Sequence, residues 1–152
     1  MPFSGLMNAK IFIGSDHRGF ELKNKVKDYL EGRGFDVVDV GPLKYNKDDD
    51  FIDYAKKVSK NVLRDKGRGI LICGSGQGMS VTANKIKGIR AVLCWNEESA
   101  KRAKEHMNAN VICFGSDFVG ENEADRIVRS WLNSEFQRKK RYVRRTEALA
   151  KM

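Results

Sequence analysis

Five short segments, 11–14, 36–40, 69–73, 91–94 and 111–114, are rich in β-branched and apolar residues. Runs of that length predict buried strands. The intervals between them carry a different period. Phe20, Val26, Tyr29 and Leu30, and later Phe51, Tyr54, Ala55, Val58, Val62 and Leu63, recur at helical spacing, which gathers each set on one buried helix face. Gly32 and Gly34 stop the first helix, and 48–50, all aspartate, offers N-caps for the second. Parallel strands need a crossover element between them, so strands alternating with helices predict an α/β chain with a parallel sheet covered on both faces.

The third apolar run ends in chemistry. Ile70, Leu71 and Ile72 deliver Cys73 into a loop with glycines at 74, 76 and 78, and a helical pattern, Ser80, Ala83 and Ile86, follows. That order reads as the carboxyl end of a strand opening onto a helix N-terminus. Unpartnered N–H groups and the helix dipole, worth about half a positive charge, stabilise an anion there. The same field favours a thiolate, which makes Cys73 a candidate base or nucleophile. Cysteine is also among the most buried residue types, so the segment by itself fits a core thiol equally well. Ligands of open parallel sheets bind beyond the carboxyl ends of the strands. Asp16, His17, Cys73 and the segment after Cys94 follow strand ends, and His106 stands just before the fifth strand; all are expected on one rim.

Composition narrows the class. A length of 152 residues fits a single domain, 1–152, with about 1–9 as an N-terminal extension and about 135–152 as a basic C-terminal arm. Its 41% hydrophobic content and two prolines exclude a disordered chain. No apolar run approaches the ~20 residues of a membrane span, and the start MPFSGLMNAK has no secretory-leader pattern, so a cytoplasmic protein without membrane contact is expected. Three cysteines without a CxxC pair suggest neither a disulfide framework nor zinc, and the two histidines have no metal-ligand spacing.

The net charge of +9 is uneven: Arg138, Lys139, Lys140, Arg141, Arg144, Arg145 and Lys151 against Glu135 and Glu147 leave +5 in the tail. A solvated helix face and a phosphate site are both open readings of that patch. Only Tyr142 interleaves the basic run, which argues against nucleic acid and for a small phosphorylated ligand.

Taken together, SDHRGFELK at 15–23, GILICGSGQGMSVTANK at 69–85, GIRAV at 88–92, EHMNANV at 105–111, FGSDFVG at 114–120 and the basic tail resemble the ribose-5-phosphate isomerase B family. The wider group includes the subunits of galactose-6-phosphate isomerase. The resemblance implies a three-layer Rossmann-like fold with a five-stranded parallel sheet and a C-terminal helical extension. It also implies aldose–ketose isomerisation of ribose 5-phosphate and ribulose 5-phosphate through an enediolate, without metal or organic cofactor. Cys73 matches the family's base, and Gln77 stands where another branch carries a glutamate. Ser75 with the N–H groups of Gly74, Gly76, Gln77 and Gly78 resembles the enediolate hole, His106 the ring-opening histidine, and Asp16 the acid on the sugar oxygens. His17, Arg141 and Arg145 resemble the phosphate set, a task suited to the guanidinium fork. The active site of the family is shared between subunits, so a homodimer or homotetramer is implied, with the C-terminal arm reaching a partner.

Three positions depart from the family pattern: Met107 in place of the Asn that often follows the histidine, Asp117 where an Arg commonly follows Phe-Gly-Ser, and Phe51-Ile52 in place of Tyr-Pro. Lys139, Lys140 or Arg144 could replace the cation lost at 117. Met107 keeps a six-carbon substrate, allose or galactose 6-phosphate, open. From another class, a nucleotide- or RNA-binding α/β module would use the glycine loop as a phosphate cradle, but Gly-Lys-Ser/Thr after the loop and GxGxxG after the first strand are both missing. A catalytically dead scaffold is opposed by the presence of Cys73, Ser75, Asp16, His17 and His106 together.

Overall fold

The computed structural model describes residues 9–152, so the N-terminal extension expected over 1–9 lies outside the described residues except for Ala9. Five strands, β1 (Lys10–Ser15), β2 (Asp36–Gly41), β3 (Arg68–Cys73), β4 (Ala91–Leu93) and β5 (Val111–Gly115), form one sheet in the order β2-β1-β3-β5-β4. Every pairing is parallel. Among the described residues six α-helices complete the α/β Rossmann-like fold: α1 (Phe20–Gly32), α2 (Phe51–Asp65), α3 (Gln77–Asn84), α4 (Glu97–Met107), α5 (Glu121–Asn133) and α6 (Lys140–Ala150).

The three layers follow from the two-residue period of the strands. Ile70 and Ile72 point to one face, where with Ile11, Ile13, Ile112 and Phe114 they pack on α1, α4 and α5. Leu71 and Cys73 point to the other, against Val58 and Val62 of α2 and Met79 and Ala83 of α3. Burying each such aliphatic side chain is worth about 1.5–3 kcal/mol, so the faces hold the helices on and the loops are left to chemistry. The expected helical faces pack inward apart from their ends, where Phe20 stacks on Tyr45 outside both core clusters. Leu63 is 39% exposed, and α3 stops at Asn84, short of Ile86.

Two local devices position the loops that matter. Lys23, fully buried on α1, gives its ammonium to both Asp39 oxygens at 2.9 Å and to the Pro42 carbonyl at 2.6 Å. A buried charge with all three protons used is tolerated, whereas removing its partner would cost about 3–5 kcal/mol. That anchor fixes the exit of β2 and so the loop that carries 42–50. At the loop's far end Asp50 caps α2, accepting the Ile52 N–H at 3.2 Å.

Candidate active site

At the carboxyl rim the loops leaving β1, β3 and β5 are stitched side by side by backbone bonds. Ser116 donates to the Cys73 carbonyl and Asp117 to the Gly74 carbonyl, both at 2.9 Å, and Asp16 donates to Ile72 at 3.3 Å. Gly115 permits this approach, because a Cβ there would stand 2.5 Å from the Gly74 carbonyl oxygen and from Ser75 backbone.

Cys73, the last residue of β3, is 5% exposed and receives the Gly76 N–H at its sulfur, 3.1 Å away. Gly76 has φ +78°, and a Cβ there would lie 2.6 Å from Leu93 and 2.8 Å from the Phe114 backbone; only glycine makes the turn. The turn brings Gly76 N–H onto the thiol and starts α3 at Gln77, which is exposed. Ser75 accepts the Gln77 N–H at 3.2 Å. Gly78 lies beneath the Phe51 ring, 2.7 Å from where a Cβ would be. The Phe51 departure is therefore a packing contact that covers the loop.

Asp16 is buried and caps a short 3-10 turn, His17–Gly19, by accepting the Gly19 N–H at 3.1 Å. Burial raises its carboxyl pKa, more than the Gly19 N–H and the neighbouring His17 lower it. The backbone N–H and ring Nδ1 of His17 both donate to Asp49 Oδ1, each at 2.9 Å. A carboxylate only accepts, so Asp49 fixes the proton on Nδ1 and leaves Nε2 for a ligand. Tyr54 borders the same carboxylate; burial first and then Asp49 push its phenol pKa up.

Arg18 and Asp117 add an ion pair above this floor. Among the described residues Arg18 engages only its Nη2, which donates to both Asp117 oxygens, 2.6 Å to Oδ1. The guanidinium lies over Gly74, with Cζ 3.1 Å from a Cβ position there. Asp117 raises its pKa most, and Asp16 and Cys73 pull the same way. Nε and Nη1 take part in no hydrogen bond among the described residues. Arg18, His17, Tyr45 and Ser116 line a cleft of about 340 Å³ together with Glu21, Lys25 and Glu121; Cys73 and Asp16 are not among its lining residues.

His106 and Arg141 are elsewhere, which corrects the expectation of one rim. A helix that joins parallel strands runs against them: α4 starts just past β4 and ends just before β5. Its last turn, with His106, is at the amino ends of the strands, about 16 Å along the helix axis from its start. The Arg90 guanidinium, immediately before β4, reaches the Met107 and Asn108 carbonyls at 2.9–3.1 Å and marks the same end. His106 stacks on Tyr142 with ring centroids 4.8 Å apart, and Arg141 sits over Tyr142 at 4.6 Å. The basic arm is thus the helix α6 with an extended lead-in; Gln137 ties that lead-in to Glu105 through N–H and side chain, both at 2.9 Å. None of its residues is buried, and Arg141 and Arg145 are exposed.

One chain therefore gathers Cys73, Ser75, the glycine loop, Asp16 and His17 on one rim, and His106 with Arg141 at the other. Arg18 and the inward-turned Asp49 were not singled out from the sequence. Asp49 stood among three successive aspartates offered as helix caps, of which Asp50 takes that part.

Residues 11–149 match the family described as Ribose/Galactose Isomerase. The ribose-5-phosphate isomerase B of Escherichia coli is 40% identical over 141 residues, 92% of this chain and 93% of that protein. The solved ribose-5-phosphate isomerase B of Mycoplasma genitalium with bound ribulose-5-phosphate superposes with a TM-score of 0.91 at 39% identity, covering 95% of this chain and 96% of that one. The Thermotoga maritima enzyme gives 0.91 at 40% identity, covering 95% and 99%.

Proposed function

The chain belongs to the ribose/galactose isomerase family, and from that premise we propose that it interconverts ribose 5-phosphate and ribulose 5-phosphate, with Cys73 as the base. The observation that carries this reading is the thiol at the end of β3 with the Gly76 N–H on its sulfur, at the mouth of a helix-opening glycine loop. The Cys73 thiolate takes the proton from C2 of the open-chain aldose, and the electron pair moves to the C1 carbonyl oxygen. The resulting enediolate is stabilised by the Ser75 hydroxyl and by the loop N–H groups other than those of Gly76 and Gln77, which are given to the Cys73 sulfur and to Ser75. Return of the proton to C1, with the C2 hydroxyl proton passed to the C1 oxygen, gives the ketose, so no electron leaves the substrate. No metal or organic cofactor is required by this chemistry.

Asp16 accepts from the sugar hydroxyls, and the unused Arg18 donors face the phosphate with the His17 ring beside them. Arg18 thereby supplies a cation beside Asp117, a part the sequence had offered to Lys139, Lys140 or Arg144. His106, for ring opening, and Arg141 and Arg145, for the phosphate, come from a second copy of the chain. Apolar side chains at the sheet edge support that assembly: β4 is a three-residue edge strand, and Trp95 and Val81 nearby are 62% and 63% exposed. A homodimer or homotetramer acting on a small sugar phosphate in the cytoplasm, without nucleic acid, fits these features. No described helix is long and apolar enough to cross a membrane.

The test is an NMR assay of the purified chain with ribose 5-phosphate in EDTA, beside allose and galactose 6-phosphates. Appearance of ribulose 5-phosphate is expected. Turnover of a six-carbon phosphate alone would move the assignment within the family, and no turnover of any would overturn it.

A further inference from the structure

A second concentration of charge lies at the opposite end of β3 from Cys73, and no step of the isomerisation uses it. Arg68 opens β3, Arg90 immediately precedes β4, and Lys104 lies in the last turn of α4. Lys104 is buried and the two arginines are half-buried. Among the described residues none of the three belongs to an ion pair. Arg90 donates to the carbonyls at the end of α4, and Lys104 to Asn108 Oδ1 at 3.0 Å. Arg68 has far less, a 3.4 Å contact from Nη1 to the neighbouring Gly67 carbonyl.

The three cations oppose one another. Burial lowers the pKa of Arg68; burial first and then Arg68 lower that of Arg90. Lys104 is pushed down to about 8 by burial first and then by Arg68 and Arg90. Against this, the carbonyl end of α4 returns only about half an elementary charge. Beside the cluster a cleft of about 240 Å³ opens between the end of α2, the start of β3 and the α4–β5 turn. Its polar lining is Lys66, Arg68, Arg90, Asn108 and Asn110, and no lining residue is acidic.

We propose that this cleft is a second anion site, which takes a small doubly charged oxyanion of phosphate size on Arg68 and Lys66, beside Arg90 and Asn108. A guanidinium short of acceptors in partly dry surroundings is costly, and a bidentate oxyanion supplies the missing partner. Arg68 and Cys73 are the two ends of a six-residue strand, about 17 Å apart. The ion held here is therefore not the phosphate of a sugar lying on Cys73 of the same chain, and none of His106, Arg141 and Arg145, the residues offered to a partner's sugar, lines this cleft. Either free phosphate or the phosphoryl group of a small metabolite has the required chemistry.

The experiment is an NMR titration of the full ¹⁵N-labelled chain, with ionic strength held constant by chloride, following arginine Nε–H and asparagine side-chain signals. Inorganic phosphate should shift Arg68, Arg90 and Asn108 saturably. Glycerol 1-phosphate acting at lower concentration would assign the site to a phosphomonoester, and its failure to act would assign it to the free ion. Arg68→Gln should weaken phosphate at least about tenfold, the worth of one charge-assisted bond. In phosphate-free buffer the same variant should melt no lower than wild type, because it removes repulsion. Lys66→Gln, on an exposed turn, should weaken phosphate without touching the fold. Equal shifts with chloride alone, responses confined to the Cys73 rim, or marked destabilisation by Arg68→Gln without phosphate would each overturn the proposal. None of these readouts depends on turnover.

Discussion

Cys73 differs from the other two cysteines in what surrounds its sulfur. Burial pushes the Cys94 thiol up to about 12 and Cys113, wholly enclosed, well above its ordinary value, whereas Cys73 stands at a strand end with an N–H on its sulfur. Iodoacetamide should therefore label Cys73 first, and mass spectrometry that finds Cys94 or Cys113 ahead of it would return Cys73 to the core. Cys73→Ser should cut turnover by roughly 10²–10⁴-fold, the usual contribution of a positioned base, with KM nearly unchanged; a loss below about tenfold would remove the thiol from the mechanism. Asp16 makes a different kind of prediction. Its carboxyl pKa is raised above 3.8, chiefly by burial. Such a group adds stability below its ordinary pKa and loses it as pH climbs through the raised folded value, so ionised Asp16 is a cost at neutral pH. Asparagine keeps an acceptor for the Gly19 N–H and removes the charge. Asp16→Asn should melt above wild type near about pH 7, with the gain vanishing toward about pH 4, while turnover falls. A lower melting temperature at neutral pH would show that the carboxylate serves the fold.

At the level of elements, α6 is the segment whose presence the core does not explain, because none of its residues is buried. It holds Arg141 and Arg145 next to the His106 face of α4 through the Tyr142 stack. A chain ending at residue 139 should keep the sheet and lose only this helix by circular dichroism. Its kcat/KM for ribose 5-phosphate should fall at least about a hundredfold, since each arginine contact to phosphate is worth about 1.5–3 kcal/mol; free ribose, however poor a substrate, should be nearly indifferent. Full turnover by the shortened chain would remove α6 from the site. The strands were legible within one or two residues, because buried parallel strands read as apolar runs and each face has its own helices. The Cys73 loop was legible for the same reason, as an apolar run that stops at glycines. The rim to which His106 belongs was missed, because proximity in sequence to a strand does not say at which end of it a residue lies; the direction of α4 decides that. Arg18 and Asp49 were illegible, since a charged residue in a turn looks the same whether it faces water or a neighbouring loop.

The whole molecule poses the problem that its parts leave open. Cys73 is at the carboxyl ends of the strands, and His106 with Arg141 is at the amino ends, separated by the length of α4. No rotation of side chains closes that gap, whereas two chains related by a two-fold axis at the short edge strand β4 would set the carboxyl rim of one beside the amino rim of the other. This arrangement makes a sharp prediction for mixtures of inactive variants. Cys73→Ser and His106→Ala each spoil both sites of a homodimer. In a mixed dimer one site receives both lesions, and the other receives the intact Cys73 of one chain and the intact His106 of its partner. If the two variants are unfolded together and refolded at equal concentration, half of the dimers are mixed, and about a quarter of wild-type turnover should return. Assay with ribose 5-phosphate before and after co-refolding measures this directly. If Cys73 and His106 acted within one chain, no pairing of the variants could restore a site, and activity would stay at the level of the separate proteins.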